Sequence, residues 1–138
     1  MSDRASVDMV LDEFHAAAAA ADEERYAATM TDDVVFLGTA PGERWEGAVW
    51  RDFVHSFFSR GKGWAYEPSD RTVVIAEDGH VAWFDETVEN RHFGACRGSG
   101  VLRRKGGEWR VAQYNLAIPV PDDLVPELVE KIREMRPA

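Results

Sequence analysis

Apolar residues recur at helical spacing early in the chain and alternate along its second half. Val7, Val10, Leu11, Phe14, Ala17, Ala18 and Ala21 make one stripe of a helix that Ser6 is placed to cap. The alanine run from Ala16 to Ala21 favours that helix and permits close approach of a neighbour. Asp22-Glu23-Glu24 opens a shorter second helix to about Met30, its acids at the favourable N-terminal end. Val34 to Leu37 reads as a short buried strand, and Gly38 to Gly47 as a loop with Trp45 as its one large apolar residue. A third helix, from about Ala48 to Ser59, aims Val49, Trp50, Phe53, Val54, Phe57 and Phe58 at the core. Gly61-Lys62-Gly63 ends it. Trp64 to Glu67 starts a long strand that continues over Thr72 to Ala76, with Pro68 marking an edge or a bulge.

From Val81 to Ile118 the pattern is two hairpins end to end. Glu77-Asp78-Gly79-His80 and Lys105-Gly106-Gly107-Glu108 are two-residue turn signals, because glycine accepts the positive φ of primed turns. A longer turn centred on His92 lies between them. These turns pair Glu86 with Gly98 and Phe84 with Gly100, then Gly100 with Gln113 and Gly98 with Asn115. Strand alternation then puts Phe84, Glu86, Leu102, Trp109, Val111, Gln113 and Asn115 on one face. Trp83, Asp85, Arg97, Ser99, Val101, Ala112, Tyr114 and Leu116 fall on the other. Pro119 to Pro121 stop the last strand, and a terminal helix is predicted over about 122–136, its regular part beginning at Pro126.

Helices ahead of an antiparallel meander mean α+β, in a single domain over 1–138. That order is joined by RWEG before the third helix, VAWFDE, CRGSGVL and EWRVAQYNLAIPVP. With these the chain resembles the SnoaL-like branch of the nuclear transport factor 2-like superfamily. The resemblance implies a curved antiparallel sheet wrapped on N-terminal helices, cone-shaped with an internal pocket. It also implies a homodimer through the outer sheet face. Relatives include ketosteroid isomerase, polyketide cyclases, small hydratases and members that only bind, so fold alone does not assign activity.

Charge and composition remove several classes. A net charge of -9 opposes nucleic-acid binding, which needs phosphate neutralisation. No apolar run is long enough to span a membrane, and with no basic-then-apolar leader pattern the expected location is cytoplasmic. One cysteine, Cys96, excludes an internal disulfide, and the four histidines show no metal-ligand spacing. No metal or cofactor is expected.

Glu86 is the candidate catalytic residue. On an apolar face its carboxyl should hold its proton to higher pH and serve as general acid or base. The candidate ligand-binding residues are Phe36, Trp45, Phe84, Gly98, Gly100, Trp109, Gln113 and Asn115. Gly98 and Gly100 would leave room, so that valine at either would fill a cavity without unfolding the sheet. Asp85 is expected on the outer face near Arg97. Ketosteroid isomerase pairs an aspartate base with tyrosine and aspartic-acid donors. Here Phe14 and His15 stand where the tyrosine would be, and no His–Asp pair of the cyclase or hydratase kind is recognisable. The expected function is a small-molecule-binding protein with a hydrophobic pocket and no assigned catalysis. The alternative is an isomerase, cyclase or hydratase using Glu86 on a small hydrophobic substrate.

Overall fold

The computed structural model describes residues 1–136. Helix α1 (Asp3–Ala19) begins before the apolar stripe does, because Ser2 rather than Ser6 caps it, accepting from the Ala5 amide at 3.1 Å. Asp22 caps α2 (Glu23–Ala28) in the same way through the Arg25 amide. The strand β1 (Met30–Leu37) follows, and the predicted loop contains a short strand, β2 (Arg44–Glu46), that pairs with it. Then come α3 (Ala48–Phe58), β3 (Glu67–Ile75), β4 (Val81–Asn90), β5 (Gly94–Lys105) and β6 (Glu108–Ala117). A 3-10 turn (Asp122–Leu124) leads into α4 (Val125–Met135), with a proline at its start.

The six strands form one curved, unclosed sheet in the order β2-β1-β6-β5-β4-β3. β1 runs parallel to β6 and every other pairing is antiparallel, so the sheet is mixed rather than wholly antiparallel. β1 reaches β6 only after α3 and both hairpins, and such a long connection does not impose the antiparallel pairing that a tight turn does. α1 crosses the concave face and buries Val7, Leu11, Phe14, Ala17 and Ala18 there, joined by Trp50, Val54 and Phe58 of α3.

The middle hairpin has the predicted register, with Glu86 opposite Gly98 and Phe84 opposite Gly100. The last hairpin departs from it. Val101 pairs with Gln113 but Leu102 pairs with Val111, so Ala112 is an extra residue in β6. One inserted residue reverses the parity of everything after it. Gly100 therefore faces Tyr114 and Gly98 faces Leu116, rather than Gln113 and Asn115. Tyr114 and Leu116 turn into the core, and Gln113 and Asn115 turn out.

A second bulge lies on the edge strand, close to where Pro68 predicted one. Ser69 pairs with Thr87 and Thr72 with Asp85, so Asp70 and Arg71 together oppose Glu86. Asp70 takes a φ of 49°, the left-handed conformation that aspartate tolerates better than most residues. The kink directs the Arg71 side chain inward.

The outer face keeps Trp83 at 48% exposure with Val74 and the half-buried Val101 and Ala112, but loses Tyr114 and Leu116 to the core. Asp85 and Arg97 lie exposed there, opposite Ser99 and Thr87. α4 is amphipathic, and its apolar residues Val125, Leu128 and Ile132 remain partly exposed.

Candidate active site

Glu86 is reached from three elements of the fold. His15 comes from the buried face of α1, four residues after Leu11, with its Nε2 2.6 Å from Glu86 Oε2. Tyr114, brought inward by the β6 bulge, donates its hydroxyl to the same oxygen at 2.7 Å. Arg71, brought inward by the β3 bulge, donates Nε to Oε1 at 2.7 Å. Its Nη1 continues outward to the Asp8 carbonyl at 3.1 Å and the Asp12 carboxylate at 2.9 Å.

The Glu86 side chain has no exposed surface at all. Burying a carboxylate costs several kcal/mol unless charge and hydrogen bonds replace its water. Here they do. Burial pushes the Glu86 carboxyl up, but the hydrogen bond and attraction of His15, then Tyr114 and Arg71, outweigh it and hold the group below its ordinary value. The expected rise is thus reversed, because a charged donor from β3 joins two donors on the other oxygen. Since Glu86 is ionised, the His15 nitrogen facing it must carry the hydrogen. Tyr114 is held in its phenol form by burial first and then by the Glu86 charge, so it too donates.

A void of about 10 Å³, room for one water, lies against His15 and Tyr114 and is walled by Phe14, Phe36, Trp64 and Leu116. Phe36, Trp64, Tyr66 and Leu116 also line a larger open cavity of about 190 Å³ at the mouth of the cone, with Trp45, Phe53 and Phe93 around it. His15 thus borders the void beside the buried carboxylate, while the open cavity is lined by its neighbours Phe36, Trp64, Tyr66 and Leu116 and not by His15 itself. Tyr66 bridges void and mouth, its hydroxyl pushed up to about 12 by burial, then by Cys96 and Glu43.

The residues proposed from sequence do not form one site. Phe36 and Trp45 line the mouth, 6.2 Å apart between ring centroids. Phe84 is core, packed 5.8 Å from the Tyr114 ring. Trp109 is buried at the opposite end of β6, under the Arg104 guanidinium. Gln113 and Asn115 lie on the outer face, bonded to each other at 2.9 Å, because the bulge reversed their parity. Gly98 and Gly100 open no cavity. A β-carbon at Gly98 would collide with the Tyr114 hydroxyl, and one at Gly100 with the Gln113 carbonyl.

Sequence reasoning passed over His15, Arg71 and Tyr114. For His15 a signal existed: it continues the run Val7, Leu11 at four-residue steps, which places an imidazole on the buried stripe. Arg71 and Tyr114 depend on bulges: Pro68 marked an irregularity near the first without saying which side chain it would turn inward, and nothing in the alternation of β6 announces the second.

The SnoaL-like domain model matches residues 7–121. The chain belongs to the SnoaL-like family. Solved structures similar to this SnoaL-like domain share its fold. A nuclear transport factor 2-like protein of unknown function from Pseudomonas putida KT2440 is 19% identical, with a TM-score of 0.71 over 89% of this chain and 92% of that one. A protein of the same superfamily from Streptomyces avermitilis, described provisionally as a dehydratase, is 14% identical, with a TM-score of 0.70 over 86% and 97%. A third solved structure, from Novosphingobium aromaticivorans DSM 12444, is of a protein described provisionally as a scytalone dehydratase. It is 12% identical, with a TM-score of 0.71 over 85% and 84%. No curated protein matches. Among the described residues no cluster of acids, histidines and cysteine is arranged to hold a metal ion, and no helix is long and apolar enough to cross a membrane.

Proposed function

We propose that this SnoaL-like domain binds a small, largely apolar molecule in its aromatic mouth and moves a proton on it through His15. The observation that carries this reading is the position of His15, bonded to a fully buried carboxylate on one side and bordering the interior void on the other. In the neutral ring, Nε2–H donates to Glu86 and Nδ1 keeps a lone pair, to which no protein group donates among the described residues. It is the nitrogen left to accept a proton. Glu86 fixes the tautomer and stabilises the imidazolium that forms, so it acts as a positioning residue and not as the acid or base itself. The matching chemistry is proton abstraction from a ring-bearing ligand and its delivery back, to another carbon in an isomerisation or to the departing hydroxyl, which leaves as water, in a dehydration. The relatives described provisionally as dehydratases are consistent with it.

Deuterium exchange into cyclic ketones and hydroxyaryl compounds, followed by proton NMR, tests the reading. His15→Gln should slow exchange by roughly 10²- to 10⁴-fold, the usual contribution of a positioned base, while ligand-induced quenching of tryptophan fluorescence persists. Exchange at the wild-type rate would remove His15 as the base. The tightness of the void favours a second reading, binding without chemistry, and that reading expects quenching with no exchange in either protein.

The second copy belongs to the same proposal. Trp83 and Val74 on the outer sheet face, and Val125, Leu128 and Ile132 of α4, are exposed apolar residues of the kind an interface covers. A symmetric pairing through the outer face covers them. Light scattering at micromolar concentration should read twice the chain mass of 15.5 kDa. A monomer would show that this face stays in water.

A further inference from the structure

We propose that the aromatic mouth is a site for a small organic cation bearing a quaternary or tertiary alkylammonium group. This rests on the reading that the mouth admits a ligand and adds that ligand's charge.

The rings of Phe36, Trp45, Phe53, Trp64, Tyr66 and Phe93 surround the cavity of about 190 Å³, and among the described residues Glu43 is the only charged one in its lining. No lysine, arginine or histidine among the described residues lines it. Aromatic faces carry negative charge density and attract a cation held within about 6 Å of the ring centre, most strongly at tryptophan. Trp50, also in the lining, stacks on Phe36 at 8° and on Phe53 at 16°, while Trp45 and Trp64 stand tilted to Phe53 at 32° and 37°. An apolar ligand alone would not need the carboxylate.

Glu43 is held in place by the loop that carries it. The Gly38 amide donates to the Glu43 carbonyl at 2.8 Å, and the Ala40 amide donates to Glu43 Oε1 at 2.7 Å. Gly38 has no side chain, which lets the Glu43 chain lie across it; a β-carbon there would sit 3.0 Å from Glu43 Cβ. Oε2 is left with no hydrogen bond, and Glu43 pairs with no cationic side chain among the described residues. A fixed carboxylate with a spare oxygen, beside aromatic walls, complements an alkylammonium group. The chain's net charge of -9 adds long-range attraction of the same sign.

Choline and its neutral isostere, in which carbon replaces the ammonium nitrogen, separate charge from shape. Binding is read by tryptophan fluorescence and by calorimetry. Choline should bind at least about tenfold more tightly than the isostere, the scale of a desolvated cation–π contact. Glu43→Gln keeps the acceptor for the Ala40 amide and removes only the charge. It should weaken choline severalfold and leave the isostere unchanged. Equal binding of choline and isostere would overturn the cation assignment while leaving an apolar ligand site intact. So would quenching by neutral aromatic probes but not by choline. If no probe of any kind binds, the site itself is overturned and the proposal with it.

Discussion

Glu86→Gln is expected to destabilise the protein at pH 7 by about 3 kcal/mol, the lower end of the range for breaking a buried pair from one side. The substitution leaves the Arg71 guanidinium inside with Asp8 and Asp12 as its remaining carboxylates, and both are solvent-exposed and screened. It also makes the amide choose between acceptor and donor at an oxygen where His15 and Tyr114 both donate. The dependence on pH follows from the direction of the shift. Glu86 holds its proton less tightly when folded than the unfolded value of about 4.3, so folding favours the ionised form. That contribution is complete above the unfolded value and disappears as pH falls through the folded one. Urea unfolding of both proteins at pH 7 and in acid should therefore show a gap that narrows on acidification. A glutamine variant as stable as wild type at pH 7 would mean that burial prevails over the three donors and Glu86 is protonated.

Gly100→Ala is expected to cost about 3 kcal/mol or more, at the upper end of overpacking penalties. The new methyl would fall on the Gln113 carbonyl, a backbone atom of the bulge that has nowhere to move. Gly98→Ala should cost less, since it meets the end of a side chain, the Tyr114 hydroxyl. The two cases can be told apart by a double-mutant cycle. Tyr114→Phe removes the colliding oxygen, so Gly98→Ala should be partly relieved in that background and Gly100→Ala should not. Thermal or urea unfolding of the set measures both terms. Equal penalties in the two backgrounds would separate Gly98 from Tyr114 and remove the bulge as the reason for that glycine.

Local pattern was enough to determine the α+β class, the position of the helices and the middle hairpin. Each depends on short-range physics: the helical stripe of α1, the glycine turns, and the alternation that turns Glu86 inward opposite Gly98. Phe36 and Trp45 stood out in the sequence as large apolar residues, but their meeting at one cavity follows from the pairing of β1 with β2, a stretch that reads as loop in the sequence. The surroundings of Glu86 were not legible. One extra residue at Ala112 exchanges Tyr114 and Leu116 for Gln113 and Asn115, and another at Asp70 brings in Arg71. A bulge costs little locally and is chosen by what it lets the two faces bury, here Tyr114 against Phe14 and Glu86. That choice belongs to the tertiary structure, as does the ionisation of Glu86. Sequence sees an acid among apolar neighbours and expects it to keep its proton; only the fold brings α1, β3 and β6 to its two oxygens.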